Sequence, residues 1–222
     1  MKKIFLAILL IGQFSFAQDL VKDLKPFKAI TINSAMEVEL ILADGFKIEV
    51  YGKDVDKLSV SDRNKELKLS TSLKKKFKSD LKVKIYYNNG LRHIKLANQV
   101  VFTSKEPIIE KFLEIEAVNN VRANLTVQTD DFIANLDLGS NLLLKGFTKS
   151  QKIKVKSKSL YDAFNFKSKK AYVEVRAAQA GVYVSEFLDA VAKLKGEITY
   201  MGTPYSVNEK TFLGKVIHKK EE

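Results

Sequence analysis

The residues with most to offer a reaction are few in this chain. It has two histidines, His93 and His218, and no cysteine. A thiolate zinc site, a cysteine nucleophile and a disulfide framework are therefore excluded. His93 follows Arg92 and His218 lies near the tail, and neither has a metal-ligand partner at local spacing. A calcium site or an acid–base pair for cutting glycosidic bonds would need clustered carboxylates. Asp130-Asp131 is the only adjacent acidic pair besides the terminal Glu221-Glu222. Successive strand residues point to opposite faces, so that pair is a poor joint ligand outside a turn. The chain contains no Gly-x-Ser-x-Gly, no His-Glu-x-x-His and no phosphate-binding glycine loop. These observations argue for a protein that is not an enzyme and takes no cofactor or metal.

What remains is cationic. Lysine and arginine number 38 against 26 acids, a formal charge of +12. Lys152, Lys154, Lys156 and Lys158 recur at every second position. On a strand they would share one face and make an anion-binding strip; the competing reading is a solvated face. The run Lys74-Lys75-Lys76-Phe77-Lys78 reads as a wet loop, with an anion-binding tip as its functional alternative. Tyr200 and Tyr205 could stack on a sugar, or simply cap one end of the fold. The partner chemistry this favours is an anionic glycan or an envelope or surface protein. Nucleic acid is disfavoured, because the charge is carried mostly by lysine, which lacks the planar fork of arginine, and because an exported chain rarely meets it.

Export is read from the first residues. Met1-Lys2-Lys3 is basic, Ile4 to Gly12 is an apolar run, and small residues stand at Ser15 and Ala17. That order predicts a secretory signal over 1–17, cleaved after Ala17. The apolar run is too short to span a bilayer, which takes about 20 residues. Losing two lysines with it lowers the charge from +12 to +10. No later segment is apolar enough to span, so residues 18–222 are expected to form one exported domain in the periplasm, on the cell surface or outside the cell.

That domain must be built from strands. Met36 to Leu42 and Phe46 to Tyr51 alternate apolar and polar residues, with Asp44-Gly45 as a turn between them, and further short runs follow to Tyr87. Lys53–Leu58 and Ile108–Phe112 could each hold a helical turn. The second half repeats. Apolar–polar–apolar triplets begin at Ile94, Leu113, Ala134, Ile153, Val173 and Ala192, spaced by about 20 residues, with small or polar bends between them. A period this short, made only of strands, suits one coil of a β-solenoid. Stacked coils would give every strand a neighbour about 4.8 Å away. The reading is all-β: a parallel β-helix of about 20 residues per coil with hairpin-like strands at its N-terminal end. A β-sandwich of hairpins is the alternative. Stacking also predicts two outward ladders. One is Lys95, Glu114, Asn135, Lys154, Glu174 and Lys193; the other is Glu116, Asp137, Lys156, Arg176 and Lys195. An open end of such a solenoid could pair with another strand edge, giving self-association.

Two segments carry a family resemblance. The entry reads Phe27-Lys-Ala-Ile30-Thr-Ile32-Asn-Ser-Ala-Met36-Glu-Val38, then Phe46-Lys-Ile48-Glu-Val50-Tyr51-Gly52. The exit reads Gly196-Glu-Ile198-Thr-Tyr200-Met-Gly202-Thr-Pro204, then Gly214-Lys-Val216-Ile217. Together they resemble the exported bacterial proteins called putative auto-transporter adhesin, head GIN domain. The resemblance implies a right-handed parallel β-helix at the cell envelope, with no catalytic residue or cofactor. Family members tend to repeat a Ser-Gly-Ala/Ser bend in each coil; here Asn119-Asn120, Gly139-Ser140 and Ala178-Gln179 match it only loosely.

Overall fold

A strand of period two buries one side only, and twenty such residues cannot close a core by themselves. The chain resolves this by stacking. In the computed structural model, which describes residues 20–72 and 80–220, strands pile into a β-solenoid of about seven turns, roughly 19 residues apart. Residues 1–17, expected to be a secretory signal, and the Lys74–Lys78 run lie outside the described residues.

The short strands come first: β1 (Leu20–Asp23), β2 (Ala29–Ile32), β3 (Glu37–Leu42), β4 (Lys47–Tyr51), β5 (Leu58–Arg63), β6 (Glu66–Thr71), β7 (Lys82–Tyr87), β8 (His93–Ala97) and β9 (Val101–Ser104). Long ones follow, each bending around a coil: β10 (Ile108–Val118), β11 (Arg122–Asp137), β12 (Asn141–Lys156), β13 (Leu160–Arg176) and β14 (Gln179–Lys193). The chain closes with β15 (Glu197–Met201), β16 (Ser206–Phe212) and β17 (Lys215–His218). Two faces result. Face A stacks β1, β4, β7, β3, β9, the first halves of β11 to β14, then β15 and β17. Face B stacks β5, β6, β2, β8, the second halves of β10 to β14, then β16. Parallel pairing of strands that wrap from one face to the other replaces the sandwich alternative.

The core is a set of columns between the faces. On face B, Ile30, Ile94, Ile115, Ala134, Ile153, Val173 and Ala190 stand one above another, and all are buried. Burying each large member stabilises the fold by roughly 1.5–3 kcal/mol. Two columns end on valines, Leu188 being followed by Val207 and Ile198 by Val216, and three end on polar residues. Ala190 is followed by Glu209 and Ala192 by Thr211. Tyr200 is followed by His218, whose ring stacks on it at 4.6 Å and whose Nε2 donates to the Gly202 carbonyl at 2.9 Å. Inward-pointing polar groups on a terminal coil discourage a further coil from adding.

The corners also stack. Residues in the left-handed region recur at Asn98-Gln99, Asn119-Asn120, Leu138-Gly139, Ser157-Lys158 and Leu194-Lys195. Each corner's N–H groups donate to the carbonyls of the next, as from Asn98 to Val118 and from Gln99 to Asn119. Asparagine tolerates this conformation, and its amide adds a ladder. Asn98 Nδ2 donates to Asn33 Oδ1 at 2.8 Å, and Asn119 Nδ2 to Asn98 Oδ1 at 2.7 Å. Inside the coils one polar chain is fully satisfied: Tyr161 OH donates to Gln151 Oε1, Gln151 Nε2 to Ser168 Oγ, and Ser168 Oγ to the Tyr183 carbonyl.

Four expectations change. Ile94 and Leu96 stand beside Ile115 and Ala117, not Leu113 and Ile115; Val173 and Val175 stand beside Ala190 and Ala192, not Ala192 and Leu194. A slip of two keeps every side chain on its face, so alternation cannot detect it. In the ladders Glu116 therefore takes the place of Glu114, Val191 that of Lys193, and Lys193 that of Lys195. Ile108–Phe112 is strand, because Ile108 is buried and pairs with Val127; a single helical turn does form at Val55–Lys57. The turn at Asp44-Gly45 joins β3 and β4, yet the two do not pair, since β7 lies between them. The hairpin of this end is β5–β6, turning at Asn64-Lys65.

Gly146 sits at a corner of β12 with φ +115°, where a Cβ would collide with the Val127 carbonyl of the coil below. We predict that Gly146→Ala lowers the stability by about 1–3 kcal/mol, from strain at a positive φ and lost strand contact. Urea unfolding checks this; an unchanged midpoint would mean that the coils are not packed this tightly.

Candidate functional site

The outward residues of face B are placed by the same register that builds the core. Three columns cross the strands. The first runs His93, Glu114, Ile133, Lys152, Tyr172, Asp189, Asn208. The second runs Lys95, Glu116, Asn135, Lys154, Glu174, Val191, Lys210. The third runs Val118, Asp137, Lys156, Arg176, Lys193, Phe212. Columns are about 6.6 Å apart along a strand and neighbours within one about 4.8 Å apart.

Charge is distributed unevenly along the face. At β8 and β10 it is balanced: His93 Nδ1 lies 3.2 Å from Glu114 and Lys95 Nζ 3.1 Å from Glu116. At β12 three consecutive outward positions are lysines, and none of them makes an ion pair within 4 Å among the described residues. The nearest acid on the next coil, Glu174, is taken by Lys193 at 2.9 Å. That hydrogen bond holds the Glu174 carboxyl below the usual range against the opposing effect of burial, and Lys154 and Lys156 add to the lowering.

A shallow depression of about 360 Å³ opens here. It is lined by Lys152, Lys154, Tyr172, Glu174, Asp189 and Val191. Tyr172 is 41% exposed and leans on Phe187, with ring centroids 5.6 Å apart and planes at 50°. The depression therefore combines an aromatic face, two free ammonium groups and two carboxylates. A general acid must keep its proton near neutral pH, whereas Glu174 is pushed the other way.

The four lysines singled out by spacing divide three to one. Lys152, Lys154 and Lys156 lie together on face B; Lys158 turns away in the left-handed corner, with φ +63°. Tyr200 is 8% exposed beneath His218, and Tyr205 is 90% exposed just before β16. Only Tyr205 of the two offers a ring to solvent. Tyr172, Phe187 and Asp189 escaped the sequence reading. Their signal is their distance from Lys152 by whole coils, and the short coil between β13 and β14 obscures it.

Face A has its own depression at the N-terminal end, about 550 Å³, between Tyr51, Glu37, Glu39, Lys82 and Lys84. Its charges are mixed. Beside it the buried Glu49 carboxylate accepts from Tyr51 OH and Tyr86 OH at 3.0 Å each and pairs with Lys47 Nζ at 2.7 Å. Lys47 leads in holding that carboxyl below its usual range despite burial. Among the described residues no group of three or more His, Asp or Glu is placed to hold a metal ion. No described helix is long and apolar enough to cross a membrane.

The solenoid with its charged, repetitive outer face defines the class, and comparison with known proteins supplies the family. Residues 26–204 match the family described as putative auto-transporter adhesin, head GIN domain, and the chain belongs to it. Similar crystal structures share the fold. A putative adhesin from Bacteroides fragilis NCTC 9343 aligns with TM-score 0.80 at 17% identity, covering 91% of this chain and 95% of that one. A putative adhesin from Parabacteroides distasonis ATCC 8503 gives 0.67 at 16% identity, over 91% and 95%. A protein described as a putative lipid binding protein, from the same strain, gives 0.67 at 18%, over 90% and 95%. No curated protein matches the chain.

Because its pKa is depressed in the fold, Glu174 contributes stability above its unfolded pKa, and that contribution is lost as pH falls through the folded value. Lys193→Met removes the main cause. Carboxyl titration by carbon NMR should then show Glu174 moving up toward the ordinary glutamate range. A titration that does not move would mean that Lys154 and Lys156 hold it instead.

Proposed function

We propose that this protein is an exported, non-catalytic binding module of the cell envelope or surface, and that face B engages an anionic glycan through Lys152, Lys154 and Lys156. One observation carries the reading: three adjacent lysines stand on one strand of the sheet with no ion pair to any described residue, while β8 and β10 pair their charges with each other and Glu174 on β13 is held by Lys193. A row of unpaired ammonium groups attracts polyanions, and the ordered strands hold their stems at a constant spacing. Family membership supports an adhesin-like role. The order of basic, apolar and small residues over 1–17 supports export. We read residues 18–222 as one domain, as a single connected core from Leu24 to Tyr200 favours.

The test is binding of residues 18–222 to immobilised uronate, sulfated and neutral oligosaccharides at low and high salt. Acidic glycans should bind, and binding should weaken as salt screens the lysines. Lys152→Gln, Lys154→Gln and Lys156→Gln together should weaken it about tenfold to hundredfold, on the order of 1 kcal/mol or less per ammonium. Binding confined to vesicles of anionic phospholipid would replace the glycan with a lipid surface. Binding that ignores both salt and the triple substitution would overturn the proposal.

A further inference from the structure

Resting on that reading, we infer that the depression lined by Tyr172 is a subsite for one acidic pyranose unit, a uronate or a sulfated hexose. Lys152, Tyr172 and Asp189 occupy the same outward column on three successive strands. A cation, a ring and an acid therefore follow one another at about 4.8 Å, spanning about 9.6 Å in all, which is the scale of one sugar ring with its substituents. The volume of about 360 Å³ lies at the small end for ligand sites, which begin near 300 Å³.

Each wall has a role suited to such a unit. The Tyr172 ring offers an apolar face for the C–H side of a pyranose, and Phe187 behind it fixes its tilt. Asp189 and Glu174 are acceptors for sugar hydroxyls, and Lys193 holds Glu174 in place. Lys152 and Lys154 meet the acidic substituent from the opposite side. The same column holds Glu114 and Ile133 on the preceding coils and Asn208 on the last, so this combination occurs once in the column.

The experiment compares trigalacturonate, its methyl ester, a galactose 6-sulfate oligomer and inorganic polyphosphate, titrated against residues 18–222 and its variants. Trigalacturonate or the sulfated oligomer should bind, and whichever is preferred identifies the acidic group. The methyl ester should lose at least tenfold relative to trigalacturonate if the uronate is the ligand. Tyr172→Ala should weaken binding of the preferred oligomer at least tenfold, Tyr172→Phe should keep it within about threefold, and both should bind polyphosphate like the parent protein. If Tyr172→Ala binds the oligomer unchanged while the triple lysine substitution abolishes it, the strip is real and the sugar subsite is not. If the parent protein binds none of the four probes, both fail. Because Tyr172 is an exposed side chain, the variants should fold; unchanged circular dichroism confirms it.

Discussion

Every coil of this protein depends on the coil beside it for the partners of its backbone N–H and C=O groups. That constraint sets the interstrand spacing, and the spacing sets nearly everything else. Core residues must align because their strands align, so Ile30 to Ala190 becomes one column. Corner residues must enter the left-handed region together, or the ladder breaks. Asparagine serves there because its side chain can bond to the next corner as well as tolerate the backbone. The polar chain from Tyr161 through Gln151 to Ser168 joins three segments across the interior, and each of its groups has a partner.

The same register makes the surface. Outward residues have no freedom to choose their neighbours, so a change in composition between coils becomes a charge pattern. Glu116 falls beside Lys95 and is neutralised by it; Lys154 falls between Asn135 and Glu174, and Glu174 is engaged by Lys193. The free lysines of β12 thus follow from stacking rather than from any special loop. At the C-terminal end three inward columns turn polar, at Glu209, Thr211 and His218, while two end on Val207 and Val216. Apolar side chains do remain exposed there, at Phe212 and Leu213.

Much of this was legible in the sequence, and the misses have one physical origin. Alternation reports which side a residue faces, so the strands, the shared face of Lys152, Lys154 and Lys156, and the solenoid itself could be read. It does not report which residue lies beside which, because a slip of two preserves every face. Hence alternation alone aligns Leu113 with Ile94, and Lys193 with Glu174, where the structure sets each two residues away. Tyr172 gives no signal within its own strand, since its relation to Lys152 and Asp189 exists only across coils of unequal length. The insertion of β7 between β3 and β4 was hidden for a similar reason. A turn at Asp44-Gly45 marks where the chain reverses, but not which strand fills the space it leaves.

The most direct test of the account is lysine footprinting by acetylation and mass spectrometry, with and without an oligouronate. The account predicts protection at Lys152, Lys154 and Lys156, with Lys82 and Lys84 on the opposite face reacting as before. Equal protection of lysines on both faces, or protection centred on Lys82 and Lys84, would contradict it.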